Sequence, residues 1–332
     1  MLLAILKTLP VVSTMYLIYV MGYMLGTSLP ASRPYPLTDL TTESTTTRPT
    51  TAKFFRFEEQ FAPALDFDFK SAGSLKPNLT IVIGIPTVKR KNAVYIFDTL
   101  ASLFKGIEND AANDTGIVIF VGQGDMHYFL ELSGKLANIY PNQMANGTLK
   151  VLCFSPYERF YPDYLKNGTG SRENVLEKWG DSLQQSLWRT RQAVDYIYLW
   201  SVVKGAAEYY LQIEDDIKLK PSWMLTLKRD IESESKNTEW FALSYSWEGL
   251  LCKLIRTAKM APLIQHAVFT SKLKPIDHIY WEYIWNVNCL DKDSEKARNA
   301  FDLQKYKGGR SLVQHMGKQS SSGLTAAERA RL

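Results

Sequence analysis

Three consecutive carboxylates, Glu214, Asp215 and Asp216, follow an apolar run and are the clearest candidates for chemistry in this chain. The aromatic and β-branched residues before them predict a buried strand, and Pro221 suits the first turn of the helix that follows. On an extended chain Glu214 and Asp216 lie on the same side, roughly 7 Å apart. The three carboxyl groups are therefore expected at the carboxyl end of a strand.

Two carboxylates at that spacing repel each other by roughly 2 kcal/mol at an effective dielectric constant of about 20. Such repulsion favours a bound cation, a neighbouring arginine or a raised pKa. Hard oxygen ligands suit Mg²⁺ or Mn²⁺, which keep positions for water or phosphate oxygens. The stretch predicts a metal and diphosphate site, and the alternative interpretation is a solvated acidic turn.

The elements around this stretch predict an α/β fold. The apolar run 79–86 is followed by Thr87, Lys89 and Arg90 and then by an amphipathic helical pattern. Two more apolar runs, at 116–121 and 149–154, alternate with helical patterns, which predicts a mainly parallel sheet flanked by helices. Because ligands bind outside the carboxyl ends of such strands, the basic turn and the acidic stretch should share one crevice.

Two further segments are candidates for substrate contact. A predicted helix that starts near Leu187 carries Arg189 and Arg191, whose directions differ by about 200°, so both can serve one ligand only if the helix begins there. The segment 157–180 predicts a long loop that either shapes the substrate site or packs locally. Its aromatic residues, which suit stacking on a sugar or a base, are Tyr157, Phe160, Tyr161 and Tyr164.

The N-terminal composition predicts a membrane anchor. Residues 8–25 carry no charge and follow Lys7, so we expect a cytoplasmic tail at 1–7 and an uncleaved transmembrane signal anchor at 8–26. A cleaved signal peptide is the alternative. Residues 27–77 include a segment rich in Thr, Ser and Pro and are predicted to form an extended stem. The domain that follows is then lumenal.

Glycosylation triplets and cysteines fit a lumenal location. Triplets of the form Asn-X-Thr begin at Asn78, Asn113, Asn146 and Asn167. Of the three cysteines, Cys252 and Cys289 are the expected disulfide pair, since Cys153 falls in a predicted core strand. The net charge of +5 comes without a lysine or arginine block, so no nucleic-acid partner is expected.

Six segments together resemble one family in order and spacing. The chain is similar to the α-1,3-mannosyl-glycoprotein 4-β-N-acetylglucosaminyltransferases, also called N-acetylglucosaminyltransferase IV, over about residues 78–322. The matching segments are TIVIGIPTVKR (80–90), WRTRQAVDY (188–196), YYLQIEDDI (209–217), EW (239–240), KPID (274–277) and RSLVQHMG (310–317).

The resemblance implies a GT-A type glycosyltransferase fold at 78–322, ending before a short tail at 323–332. It also implies UDP-GlcNAc as donor, a divalent cation, normally Mn²⁺, and a Golgi membrane protein of type II topology. The acceptor would be a core mannose of N-glycans on glycoproteins, modified in a β-1,4 linkage with inversion. By similarity Asp216 and His315 are metal ligands, and Glu214 and Asp215 hold hydroxyl groups of the donor.

The remaining donor-side candidates are Thr87, Lys89, Arg90 and Arg189. An inverting transfer also needs a general base for the acceptor hydroxyl. Family members commonly carry a glutamate where this chain has Ser244, so we expect Glu248, or else the partly structural Asp277, to act as the base.

Ser244 also motivates a second functional hypothesis. The chain would then be a catalytically inactive Golgi member of the family that binds nucleotide sugar or regulates other glycosyltransferases.

Overall fold

The computed structural model of the 332-residue chain describes seven stretches, namely residues 69–107, 114–154, 183–236, 240–246, 248–290, 304–307 and 311–317. The predicted anchor, the first part of the predicted stem and the aromatic loop at 157–180 lie outside them, as do Asn113, Asn167 and the C-terminal tail. No helix within the described stretches is long and apolar enough to cross a membrane.

The described part of the chain contains ten strands, seven α-helices and two short 3₁₀-helices, at Gly122–Gly124 and Thr257–Lys259. The strands are β1 (Phe69–Gly73), β2 (Leu79–Thr87), β3 (Thr115–Val121), β4 (Leu149–Phe154), β5 (Ala207–Gln212), β6 (Ile217–Leu219), β7 (Ala242–Ser244), β8 (Lys253–Arg256), β9 (Gln304–Tyr306) and β10 (Val313–His315). The helices are α1 (Ile96–Ile107), α2 (Met126–Ile139), α3 (Pro141–Ala145), α4 (Leu183–Val203), α5 (Trp223–Glu234), α6 (Met260–Thr270) and α7 (Ile276–Leu290).

Eight strands form one mixed sheet in the order β1-β4-β3-β2-β5-β8-β7-β9. Its centre, β4-β3-β2-β5, is parallel, whereas β1, β8 and β7 join it through antiparallel pairs and β9 lies parallel to β7. The predicted α/β class with a mainly parallel sheet is confirmed. The carboxyl ends of β2 and β5 are neighbours, which brings the basic turn and the acidic stretch to one edge.

Helices cover both faces of the sheet, as the uninterrupted apolar strands require. Alternate residues of each strand point to opposite faces. Val82 and Phe120 pack in the core layer with α4, α6 and α7. Ile83 and Ile119 pack in the opposite layer with α1, α2 and α5. The sheet is thus buried on both sides and forms a rigid platform for the loops at its edge.

Three boundaries differ from the sequence-based expectations. The sheet begins with β1 at Phe69, within the segment predicted as stem, because β1 pairs with the edge of β4. The apolar helical pattern that follows Arg90 in the sequence includes Val94, but helix α1 begins at Ile96 and Val94 is exposed. Helix α4 begins at Leu183. Arg189 and Arg191 therefore lie within α4 on different sides, and they cannot both face one ligand.

The predicted disulfide between Cys252 and Cys289 is wrong, because Cys252 is a free cysteine. It is fully buried next to β8. Its backbone has a φ of 54°, in the left-handed region that few residues other than glycine adopt. Cys153 is also free and lies in β4 within the core, where the sequence placed it.

Gln212 fixes the end of β5, immediately before the acidic stretch. Its side-chain oxygen accepts hydrogen bonds from the Tyr210 hydroxyl at 2.5 Å and from the indole nitrogen of Trp200 at 3.0 Å. Its amide nitrogen donates to the carbonyl of Ile213 at 2.9 Å. All these side-chain groups are buried, so the strand end is held by a closed polar network.

Replacing Gln212 by leucine should destabilise the protein by roughly 2–4 kcal/mol, because two buried donors lose their acceptor. Urea denaturation of the full chain measures this change. The matched control is Leu225→Gln on α5, where the side chain is 66% exposed and the change should stay within about 0.5 kcal/mol. Equal unfolding midpoints for Gln212→Leu and the wild type would contradict this role.

Candidate active site

The acidic stretch forms a turn at Asp215 and Asp216, between β5 and β6. Arg90 holds Asp215 in a bidentate ion pair, with nitrogen-to-oxygen distances of 2.6 and 2.7 Å. The Thr87 hydroxyl donates to the same carboxylate at 2.5 Å, and Thr99 donates to the main-chain carbonyl of Asp215 at 2.8 Å. Both predicted partners from the β2 turn, Thr87 and Arg90, therefore contact the acidic turn directly.

Asp216 has a weaker contact with Arg90, whose Nη2 atom lies 3.4 Å from Asp216 Oδ2, and its other partners come from a second segment. A two-stranded antiparallel ribbon of β6 and β10 places His315 opposite Ile217. The His315 Nε2 atom then lies 3.3 Å from Asp216 Oδ1, and Met316 donates its N–H to the Asp216 carbonyl at 2.8 Å. The structure thus brings together the two residues that the resemblance implies as metal ligands.

Glu214, Asp216 and His315 form the cation-binding candidate of this site. Each offers one ligand atom, and these atoms all lie within 4.8 Å of one another. Glu214, predicted to hold donor hydroxyls, therefore also offers an oxygen to the ligand set.

A divalent cation fits this arrangement by its donor chemistry and by its unsatisfied atoms. Carboxylate oxygens and an imidazole suit Mn²⁺. The buried Asp216 Oδ1 makes no hydrogen bond of normal geometry within the described part of the chain, and its close contact is with His315 Nε2, the other ligand candidate. Gly317 keeps the space open, since a Cβ atom there would come within 2.1 Å of Asp216 Oδ2 and 3.0 Å of His315 Nε2. Any other residue at this position would obstruct the ligand set.

The charges of this turn are unevenly compensated. Burial, with the nearby charges of Asp216, Asp215 and Asp277, raises the pKa of Glu214 to about 8. Burial and Asp215 also raise the pKa of Asp216, although His315 and Arg90 act in the opposite direction. Burial opposes the charged form of Arg90, but its hydrogen bonds to Asp215 leave its pKa raised. Asp215 is thus compensated by Arg90, whereas Glu214 and Asp216 favour additional positive charge.

One wall of the cleft comes from α4 and was not predicted from the sequence. Trp188, Gln192, Asp195 and Tyr196 line the cleft together with Thr87, Arg90, Glu214 and Asp215. Their spacing of i, i+4, i+7 and i+8 puts them on one helical face. That spacing was the available signal, since polar residues on one face of a buried helix usually have partners.

Asp195 shapes the turn after β3. Its carboxylate accepts the Gln123 N–H at 3.2 Å to both oxygens, and it is buried. Gln123 has a φ of 59°, and this hydrogen bond stabilises it in the left-handed region. The turn Gly122–Gly124 thereby closes the cleft on the β3 side.

Two predicted donor-side residues do not line this cleft. Lys89 is half-exposed and pairs with Glu131 on α2 at 2.8 Å. Arg189 is buried on α4 but is not among the residues that line the cleft. Four residues outside the acidic stretch were predicted to contact the donor substrate. Of these, the structure brings Thr87 and Arg90 to the acidic stretch.

Ser244, which replaces the common glutamate of the family, is fully buried at the end of β7. Its hydroxyl donates to the Ser246 carbonyl at 2.8 Å and accepts a hydrogen bond from the Lys253 ammonium at 2.6 Å. Lys253 is also completely buried. A carboxylate at position 244 would therefore pair with Lys253, and a serine there keeps the contact through its hydroxyl.

The two candidate bases lie near this lysine. Glu248 is exposed in the turn after Ser246, and its N–H donates to the Ser246 hydroxyl at 3.1 Å. Asp277 is half-buried in the first turn of α7, and a Cβ atom on Gly249 would lie 3.7 Å from its Oδ2. The charge of Asp277 acts on Glu214, and those of Glu214 and Glu248 act on Lys253. Asp277 thus lies within electrostatic range of Glu214, and Glu248 within electrostatic range of Lys253.

A family profile described as the MGAT4 conserved region matches residues 51–329. The chain belongs to the MGAT4 family. The family predicted from the six sequence segments is thereby confirmed.

Among the relatives, α-1,3-mannosyl-glycoprotein 4-β-N-acetylglucosaminyltransferase A of Rattus norvegicus is 32% identical over 250 residues. Those residues are 75% of this chain and 45% of the relative. The corresponding enzyme B of Danio rerio is 29% identical over 75% of this chain and 44% of its own length. The chain thus spans less than half the length of these relatives.

A solved structure of Staphylococcus aureus TarS, residues 1–349, aligns with 68% of this chain and 69% of its own, at 13% identity and a TM-score of 0.37. That score is too low to support a conclusion about the fold.

Lys253 should make the stability of the protein depend on pH. Burial lowers the pKa of Lys253 to about 8, although the charges of Cys252, Glu214 and Glu248 oppose this effect. The unfolded chain keeps an ordinary lysine pKa of about 10.4. Between about pH 8 and about pH 10.4, Lys253 binds a proton more often in the unfolded chain than in the folded protein, so the free energy of unfolding should rise with pH. Below about pH 8 Lys253 is protonated in both states, and the cost of burying its charge is fully present.

The measurement compares unfolding free energies of the wild type and Lys253→Met from pH 7 to pH 10. The wild type should gain on the order of 2 kcal/mol relative to the variant as pH rises. Lys218→Met, at an exposed position of β6, is the control and should keep the pH dependence of the wild type. Parallel profiles for Lys253→Met and the wild type would refute the assignment.

Proposed function

We propose that this MGAT4 family chain is an inverting, metal-dependent glycosyltransferase of GT-A type. It transfers GlcNAc from UDP-GlcNAc in β-1,4 linkage to a core mannose of an N-glycan on a glycoprotein. The observation that carries the proposal is the set of Glu214, Asp216 and His315 beside the Arg90–Asp215 pair. The names of the relatives supply the reaction, and the cleft at the carboxyl ends of β2 and β5 supplies the site.

The donor side of the reaction requires stabilisation of the departing diphosphate. A Mn²⁺ ion held by Asp216 and His315, with Glu214 next to it, would neutralise negative charge on that leaving group. Arg90 binds both oxygens of Asp215 and fixes it in the turn, so the remaining carboxyl groups are positioned before the donor arrives. Trp188 and Tyr196 on α4 offer aromatic walls for the nucleotide or the sugar.

The acceptor side requires a base that takes the proton of the attacking hydroxyl. Glu248 and Asp277 both lie on that side, and either carboxylate can accept the proton if the hydroxyl comes within about 3 Å. Lys253 fixes the turn that carries Glu248 through its contacts with Ser244 and the Ser246 carbonyl. Ser244 is thus a supporting residue in this proposal, and its presence is compatible with turnover.

The proposed location is the Golgi membrane with type II topology. Residues 8–26 would be the anchor, residues 1–7 the cytoplasmic tail and the segment after the anchor the stem. The described domain would then lie in the lumen, where the acceptor residues of two glycosylation triplets, Asn78 and Asn146, are exposed. Other Golgi glycosyltransferases remain candidate partners in this proposal.

The proposed activity is tested by incubating the full chain with UDP-GlcNAc, Mn²⁺ and a biantennary N-glycan. The expected product carries one additional GlcNAc in β-1,4 linkage, identified by mass spectrometry and linkage-specific digestion. Bound UDP-GlcNAc without product would instead support the inactive, nucleotide-sugar-binding hypothesis. Transfer of a different sugar would contradict the proposed donor.

Asp216→Asn should lower kcat by at least about a thousandfold, because it weakens the ligand set for the cation. Mn²⁺ affinity, followed by electron paramagnetic resonance, should fall in parallel while the thermal unfolding midpoint changes little. Asp114→Asn, at an ion pair with Lys228 away from the cleft, is the matched control. Full activity of Asp216→Asn would remove this residue from the site.

Comparing Glu248→Gln with Asp277→Asn identifies the base. Loss of a general base should reduce kcat by about 10²- to 10⁴-fold and abolish the acidic limb of the pH–rate profile. The variant at the other position should keep that limb and lose less activity. Wild-type profiles for both variants would show that neither carboxylate is the base.

A further inference from the structure

Helix α7 carries a row of three side chains that the donor site does not use. Asp277, Trp281 and Trp285 recur every four residues and so lie along one side of the helix. Trp281 is half-buried, whereas Trp285 is 55% exposed. The opposite side of α7 packs into the core through Ile279, Tyr280 and Tyr283. The row therefore borders the core and runs outward over the surface.

The row begins at the acceptor side of the site. Asp277 lies against Gly249 in the turn that carries Glu248, and its charge acts on Glu214 of the acidic turn. Trp281 is tied to the same region, because the Lys253 ammonium lies 5.5 Å from the centre of its ring. From Asp277 the row extends by about 12 Å along the helix to Trp285, at 1.5 Å per residue. That length exceeds one sugar ring.

The surface around Trp285 is mixed rather than apolar. Among the described side chains of α7, the half-buried Glu282 lies three residues before Trp285 and pairs with Lys274, and the exposed Asn286 follows Trp285. A protein interface usually requires a larger contiguous apolar patch. A carbohydrate combines polar hydroxyls with apolar C–H faces, and those faces suit the negative face of an indole ring. Asp277 adds a carboxylate that can accept hydrogen bonds from hydroxyl groups.

We propose that Asp277, Trp281 and Trp285 form an acceptor subsite that binds a neutral oligosaccharide along α7. Trp285 stacks on a sugar ring that is distant from the reacting hydroxyl, and Asp277 orients the sugar that enters the reaction site. Trp281 contacts the sugar ring that lies between these two sugars. The inference rests on the proposed function and deepens it, because it assigns the acceptor-binding surface. The subsite predicts that the outer part of the glycan contributes to acceptor affinity, and that changes in the subsite leave the affinity for the donor unchanged.

The test measures two affinities of the full chain, one for a biantennary N-glycan and one for UDP with Mn²⁺, by titration calorimetry. Trp285→Ala should weaken glycan binding at least about fivefold and leave UDP binding unchanged. Trp285→Phe should restore part of the glycan affinity, because it keeps an aromatic face. Phe269→Ala on α6, where the side chain is 74% exposed, is the control and should bind glycan like the wild type.

Glycan affinity of the wild-type value in Trp285→Ala would overturn the subsite. Equal losses of glycan affinity in Trp285→Ala and Phe269→Ala would overturn it as well. A change in oligomeric state of Trp285→Ala at unchanged glycan affinity would also overturn it and would assign the surface to a second copy of the chain. Activity assays separate this inference from the proposed function. Turnover with an unchanged acceptor KM in Trp285→Ala contradicts the subsite alone, whereas glycan binding without turnover contradicts the enzyme alone.

Discussion

The ion pair between Arg90 and Asp215 is the constraint on which the rest of the site depends. Three successive carboxyl groups cannot be placed in a buried turn unless part of their charge is neutralised. Arg90 binds both oxygens of the middle carboxylate, and Thr87 binds one of them again. Arg90 follows β2 and the acidic turn follows β5. The pair can form because β2 and β5 are parallel neighbours, so their carboxyl ends lie side by side. The other two carboxyl groups, of Glu214 and Asp216, lie within 4.8 Å of the His315 imidazole.

A second buried charge organises the opposite side of the turn. Lys253 lies in β8, without solvent contact, and donates to Ser244 at the end of β7. The antiparallel pairs of β8 with β5 and β7 place this lysine between the acidic turn and the turn that carries Glu248. The sheet therefore supplies one fixed cation on each side of the carboxylates. Under the proposed function, the surroundings of Arg90 would form the donor side and those of Lys253 and Asp277 the acceptor side.

The sequence predicted the parts of this arrangement that depend on local pattern. Three features could be predicted from short segments, because the spacing of apolar residues and the local charge are properties of such segments. These features are the apolar strands, the acidic strand end and the basic turn. The pairing of Asp216 with His315 came from the family resemblance, since no local signal links residues a hundred positions apart. The α4 wall, with Trp188 and Asp195, was missed because their spacing puts them on one face of the helix but does not show which element that face meets. The predicted disulfide of Cys252 was wrong because the sequence alone does not distinguish a free cysteine from one in a disulfide.

The central claim is that the acidic turn at the end of β5 holds a divalent cation through Asp216 and His315 while Arg90 remains on Asp215. A crystal structure of the full chain with Mn²⁺ and UDP, using anomalous scattering of manganese, tests it most directly. The account predicts one strong peak within about 2.3 Å of an Asp216 oxygen and of the His315 imidazole, with the Arg90–Asp215 pair intact. A manganese peak elsewhere, or a bound nucleotide with Asp216 and His315 unligated, would contradict it.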